Sequence, residues 1–215
     1  MNTLLNFSGG LDSTYCFYIY MKDNPNTKLL VHFCHLINWE RREPYEAKAV
    51  KQTTEWFKSH GMCNFELLET TVDYGNIRWI APDSSLISWW TGAILRNPRR
   101  NNIRNIIIPT PKDEIVRMPE EVARRQECNE TIREAMLKNS KRLNPRDIEI
   151  IYPIIDKWKH ELVAEMPEDL VDLTWSCRTP RINGTPCEKC HTCLELNGKA
   201  PWLKKYKGRR KGGLS

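Results

Sequence analysis

No apolar run in the chain approaches the roughly 20 residues that a helical bilayer crossing requires, so no helical membrane span is expected. The first residues carry no basic-then-apolar leader pattern and pass straight into a strand-like run, so a cytoplasmic location is expected. No internal repeat or low-complexity stretch precedes the C-terminal tail, which argues against a solenoid. No glycine-rich loop ending in Gly-Lys-Ser/Thr is present, so the Walker type of nucleotide site is excluded. Residues 199–215 contain no acid but seven basic residues, Lys199, Lys204, Lys205, Lys207, Arg209, Arg210 and Lys211. Taking these seven from the 33 basic residues leaves 26 against 27 acidic ones, so the body is near neutral and the net charge of +6 belongs to the tail. Nucleic acid is therefore not an expected partner except through that tail.

What is present fits one α/β domain with a real core and a small appendage: 215 residues, 40% hydrophobic and 28% charged. Strand-like and helix-like stretches alternate. Leu4–Phe7, Lys28–Cys34, Phe65–Leu68, Ile106–Ile108 and Ile148–Tyr152 read as strands. The intervening helices read as Tyr15–Met21, a stretch from Pro44 to Gly61, Ser85–Leu95, and Pro119 to about Lys138, with two more at 157–165 and 167–173. This pattern predicts an α/β fold with a doubly wound, parallel, five-stranded sheet, whose ligands bind beyond the carboxyl ends of the strands. The loops there are 8–13, 38–46, 70–83, 110–117 and 153–159. The expected organisation is an α/β domain over 1–174, a cysteine-rich element over 175–203 and a basic tail over 204–215.

The stretch Ser8-Gly9-Gly10-Leu11-Asp12-Ser13-Thr14 follows the first strand and opens the first helix. A chain that breaks at two glycines and restarts as a helix aims unpaired amides and the helix dipole at one point, which attracts an anion. Ser8, Ser13 and Thr14 add hydroxyl donors. Asp12 repels a phosphate, so it is read either as a magnesium ligand or as a helix cap.

Near the other end, Cys177, Cys187, Cys190 and Cys193 are spaced C-x9-C-x2-C-x2-C. Four thiols so placed can surround one tetrahedral Zn²⁺ with no open position, which makes a structural site. His191 replacing one thiol and an iron–sulfur cluster are the alternatives.

Together the two motifs resemble those of the 7-cyano-7-deazaguanine synthases, within the PP-loop ATP pyrophosphatases, over nearly the whole chain. The resemblance implies an ATP-dependent, AMP-forming carbon–nitrogen ligase with ATP, Mg²⁺ and structural Zn²⁺. Its implied substrate is 7-carboxy-7-deazaguanine, whose carboxylate is adenylated and passed to ammonia, giving an amide and then a nitrile; a homodimer is also implied. Ser8, Gly9, Gly10, Asp12, Ser13 and Thr14 match the pyrophosphate loop, with Asp12 and Lys159 in catalytic roles. Arg42, Glu46 and Ala49 match a motif after the second strand, and Pro153, Lys159 and Glu161 a motif whose lysine faces the phosphates. Asp113 and Glu114 fall where acidic residues would meet the deazaguanine edge. Cys128 stands in a Glu127-Cys128 pair where the family has Asp-Cys.

Departures concentrate at the substrate loops. The family's Gln-Arg-His is Arg41-Arg42-Glu43, its Pro-Gly-Arg-Asn is Pro82-Asp83-Ser84-Ser85, and its Gly-Val-x-x-x-Asp becomes Pro109-Thr110-Pro111-Lys112-Asp113-Glu114. A protein or peptide amine in place of ammonia, in a defence or modification role, follows as one alternative. A PP-loop tRNA-modifying enzyme is a second, and a non-enzymatic zinc module binding nucleic acid is a third. Cys128 is read as a core thiol sharing a helical face with Ile132, Ala135 and Met136, against a catalytic thiol. Trp89 and Trp90 are read as core.

Overall fold

The structure is a computed structural model and describes residues 2–77, 83–100, 102–138, 144 and 147–196. The basic tail lies outside the described residues, as do Pro82 and the last residues of the cysteine-rich element. Five parallel strands, β1 (Thr3–Phe7), β2 (Leu29–Ile37), β3 (Phe65–Asp73), β4 (Asn105–Ile107) and β5 (Glu149–Ile151), form one sheet in the order β3-β2-β1-β4-β5. The order reverses between β1 and β4, which opens a crevice at their carboxyl ends.

Helices cover both faces because each strand alternates its side chains between them. Leu5 and Phe7 of β1 and Val31 and Phe33 of β2 pack on one face against α1 (Leu11–Asp23), α2 (Glu43–Ser59), α6 (Lys159–Glu165) and α7 (Glu168–Asp172). Phe17 of α1 anchors this layer, with ring centroids 4.0 Å from Phe57 and 5.0 Å from Phe65. Leu4, Leu30 and Ile106 face the other way, against Ile94 and Leu95 of α3 (Asp83–Arg96) and Leu137 of α5 (Pro119–Leu137). Each such fully buried side chain contributes about 1.5–3 kcal/mol. A short α8 (His191–Leu196) closes the cysteine-rich element. No described helix is long and apolar enough to cross a membrane.

The structure corrects three readings of the sequence. The segment after β4 is not all loop: Lys112–Arg117 forms α4, entered from Pro111 and held by the Lys112 amide donating to the Lys157 carbonyl at 2.9 Å. Cys128 is exposed rather than in the core, because the buried face of α5 runs through Val122, Arg133 and Leu137. Trp89 is exposed rather than core, whereas Trp90 is half-buried and packs against the small cluster of Cys34, Leu36 and Tyr74, the two rings meeting edge to face.

Candidate functional site

The chain leaves β1 at Phe7 and turns at Gly9, whose φ of +70° suits glycine. A Cβ on Gly9 would lie 2.9 Å from the Val50 amide nitrogen and 3.0 Å from the Ala49 Cβ, so only glycine lets the loop lie against α2. Gly10 is the N-cap of α1, and no side chain caps it. The first intrahelical bond is the Thr14 amide to the Gly10 carbonyl at 2.9 Å, so the Asp12 and Ser13 amides stand at the open end of the helix. The Ser8 amide donates to Ser13 Oγ at 3.2 Å, and Ser13 Oγ donates to the Gly10 carbonyl at 3.1 Å, which fixes the loop's shape.

Asp12 does not serve as the cap. Its Oδ2 lies 3.5 Å from Lys159 Nζ, and its Oδ1 is buried without a hydrogen-bond partner. Removal from water pushes the Asp12 carboxyl up to about 6, against the pull of Lys159, and the nearby Glu114, Glu195 and Asp113 add to the rise. A carboxylate oxygen left unpaired beside an anion-binding loop fits a magnesium ligand.

Lys159 is buried at the first position of α6. Its amide donates to Asp113 Oδ2 at 2.7 Å, and its Nζ donates to Glu195 Oε2 at 2.6 Å. Burial disfavours the ammonium, but Asp12 and Glu195 more than offset this and hold Lys159 above the usual lysine range. Glu195 also pairs with Arg117. The lysine is therefore a fixed cation beside Asp12.

The loop opens onto a cleft of about 280 Å³ beneath α3 and α5, floored by Asn6, His32 and Cys34. His32 donates or accepts through Nε2 with Thr70 Oγ1 at 2.8 Å; burial pushes it down to about 4, so the ring is neutral, and its Nδ1 has no partner. At one wall Arg42 meets Glu40 at 2.7 Å, Glu46 at 2.9 Å and also Asp83. Arg178 reaches Glu40 at 3.3 Å and Asp83 at 3.0 Å. Burial pushes the Glu46 carboxyl up to about 7 although Arg42 opposes it. Glu114 lines the cleft and pairs with Arg125 at 2.7 Å.

The four sulfurs of Cys177, Cys187, Cys190 and Cys193 lie within 4.8 Å of one another. Tetrahedral ligation at a metal–sulfur distance of about 2.3 Å requires sulfurs roughly 3.8 Å apart, and Cys187 and Cys193 are at 4.0 Å. The Cys187 amide donates to Cys177 Sγ at 3.2 Å, and the Lys189 and Cys190 amides to Cys187 Sγ at 3.4 and 3.2 Å. Burial opposes ionisation, but the Thr179 hydroxyl and these two amides bring Cys187 down to about 6. The set fits a metal held by four thiolates. His191 opens α8 and stands outside it.

This element is built into the glycine loop. The Trp175 amide donates to the Gly9 carbonyl at 2.9 Å, the Leu11 amide donates to Ser176 Oγ at 3.3 Å, and Trp175 stacks on Tyr45 of α2 at 4.8 Å. Glu195 follows the last cysteine by two positions and Arg178 follows the first by one.

The structure thus brings Ser8–Thr14, Asp12 and Lys159 together, and Asp113 sits behind Lys159 as a partner of its amide. Arg42 and Glu114 line the cleft; Cys128 does not. Glu195, Arg178, Ser176, His32 and Arg133 were not singled out from the sequence, since nothing in their spacing marks them.

The family model described as "QueC: Queuosine biosynthesis protein QueC" matches residues 94–199. No curated protein matches the chain. Among solved structures, the U34-tRNA thiolase NcsA from Methanococcus maripaludis with its 4Fe-4S cluster aligns over 100% of this chain and 74% of its own, with a TM-score of 0.50 and 14% identity. At that identity the likeness concerns the fold, which is the PP-loop fold.

Proposed function

Taking as premise that the chain is a QueC-like PP-loop protein, we propose that it is an ATP-dependent, AMP-forming carbon–nitrogen ligase acting on a 7-carboxy-7-deazaguanine-like acid. The observation that carries this is the convergence of the Gly9-Gly10 loop, the unpaired Asp12 Oδ1 and the buried Lys159, with Ser8 of the same loop lining the cleft of about 280 Å³.

In this reading the loop and the start of α1 receive the β- and γ-phosphates of ATP, and Lys159 offsets the charge that develops on pyrophosphate. Asp12 would hold Mg²⁺, which would supply further charge neutralisation. The substrate's carboxylate oxygen attacks the α-phosphorus and pyrophosphate departs, leaving an acyl adenylate. A nitrogen nucleophile then attacks the acyl carbon, loses a proton and expels AMP, leaving an amide. The cleft walls align the acid with the nucleotide and exclude water, which would hydrolyse the adenylate. We assign Zn²⁺ to the four cysteines, in a structural role. The altered loops at Arg41–Glu43 and Pro109–Glu114 make amide formation, with ammonia or with a protein or peptide amine, the better-supported outcome over the nitrile. Sulfur transfer to tRNA is the alternative and needs a reactive thiol or an iron–sulfur cluster; Cys34 is buried at the cleft and burial pushes its thiol up, so the metal held by the four cysteines decides between the two readings.

The test is mass spectrometry of a reaction containing protein, ATP, Mg²⁺ and 7-carboxy-7-deazaguanine, with and without ammonium. AMP with an amide supports the reading, and AMP with a nitrile extends it to the full synthase reaction. An adenylate that persists until a protein amine is added identifies that nucleophile. No AMP from folded, metal-replete protein rejects this substrate. Elemental analysis expects one zinc and no iron per chain.

A further inference from the structure

Among the described residues, most of the charged side chains lining the cleft are closely paired. Arg42 and Arg178 share Glu40 and Asp83, and Arg125 meets Glu114 at 2.7 Å. Arg133 lines the same cleft from α5 and is 8% exposed, yet its one ion pair among the described residues is with Glu130 at 4.0 Å, an acid whose side chain is 54% exposed. Arg125, Asn129 and Arg133 follow one another at four-residue steps, so a single stripe of α5 faces the cleft. Burial lowers the Arg133 pKa, and the nearby Glu130, Tyr152 and Glu134 offset this only in part.

A buried guanidinium without a close counter-ion lowers the stability of the empty fold. Its presence at a cleft is accounted for by a bound anion. We propose that Arg133, assisted by Asn129, is the seat for an oxyanion of the molecule held in the cleft. The planar guanidinium grips a carboxylate or phosphate through two parallel hydrogen bonds. Resting on the function proposed above, that oxyanion is the carboxylate of the acyl substrate; the other source of the same chemistry is the nucleotide phosphate. Holding the carboxylate there would offset its repulsion of the ATP phosphates before adenylation.

The test is calorimetric titration of the wild type, Arg133→Lys and Arg133→Met with three probes: 7-carboxy-7-deazaguanine, its uncharged carboxamide, and AMP. Melting temperatures are recorded in parallel. The expected result is an Arg133→Met protein that melts at or above the wild-type temperature. It binds the acid about ten- to a hundredfold more weakly, and binds the carboxamide as the wild type does. Arg133→Lys falls between. Weakened AMP binding with unchanged acid binding keeps the oxyanion seat and assigns it to the nucleotide. If the wild type binds neither base probe, the proposed substrate is rejected, and Arg133 is judged on AMP alone. Unchanged binding of both acid and AMP overturns the seat. So does a marked fall in melting temperature for Arg133→Met, which would give the arginine a structural role.

Discussion

Gly9 shows how much of the glycine loop's geometry rests on single positions. Its φ of +70° and the 2.9 Å approach of the Val50 amide nitrogen to a would-be Cβ act together. Gly9→Ala is expected to cost about 1–3 kcal/mol in strain and overpacking, read as a lower melting temperature. ATP-dependent AMP release should fall further than that loss explains, because the loop amides move with the backbone. Glu195 makes the complementary case, since it holds Lys159 at 2.6 Å and also Arg117. Replacing Glu195 by Gln strips a charge partner from a buried lysine and is expected to destabilise the fold by about 3 kcal/mol, measured by denaturant titration. Lys159 could be read from Pro153, Lys159 and Glu161, whose spacing matches a known motif. Glu195 could not, because an acid two positions after the last cysteine looks like any surface glutamate until the chain folds back onto α6.

At the scale of elements, strands and long helices were legible because burial on both faces writes continuous apolar runs and proline and glycine mark the ends. The strand-like runs read from sequence overlap β1 to β5, but β2 continues to Ile37 and β3 to Asp73, beyond Cys34 and Leu68 where the apolar runs end. The helix α4 was not legible: its six residues lie after Pro109 and Pro111, which signal a loop, and its start depends on the distant Lys157 carbonyl. The helix α5 was legible in extent but not in orientation. One of its three buried residues is an arginine, so apolar periodicity pointed to the Cys128 face instead. Its true seat is against α3 at Gly92, where a Cβ would lie 2.6 Å from the Met136 Cβ. Gly92→Ala should therefore force α3 and α5 apart at a cost of about 1–3 kcal/mol. Because that pair roofs the cleft, the variant's affinity for a cleft ligand should fall while its metal content stays at the wild-type level. Calorimetry and elemental analysis on one preparation check both.

For the whole molecule, strand order places the glycine loop at the reversal between β1 and β4, and the cysteine-rich element locks it there. Trp175 and Ser176 on one side of the metal set and Glu195 on the other all bond into the loop or its lysine. Chelating the metal should thus lower the melting temperature and weaken ATP binding together, with both restored by added zinc. The pH response is global as well, and Glu46 dominates our expectation for it. Its carboxyl is held at about 7, against an ordinary value of 4.5 that the unfolded chain retains. Below the lower value both states carry the proton, and the favourable contribution of the neutral buried acid is fully present. Between the two values the unfolded state releases a proton that the folded state keeps, so stability falls as pH rises, and above about 7 that contribution is gone. Glutamine mimics the neutral acid at every pH. Glu46→Gln should melt near the wild type at about pH 5 and above it at about pH 8, with a flatter slope between. Parallel slopes for the two proteins across that range would show instead that Glu46 ionises normally within the Arg42 cluster.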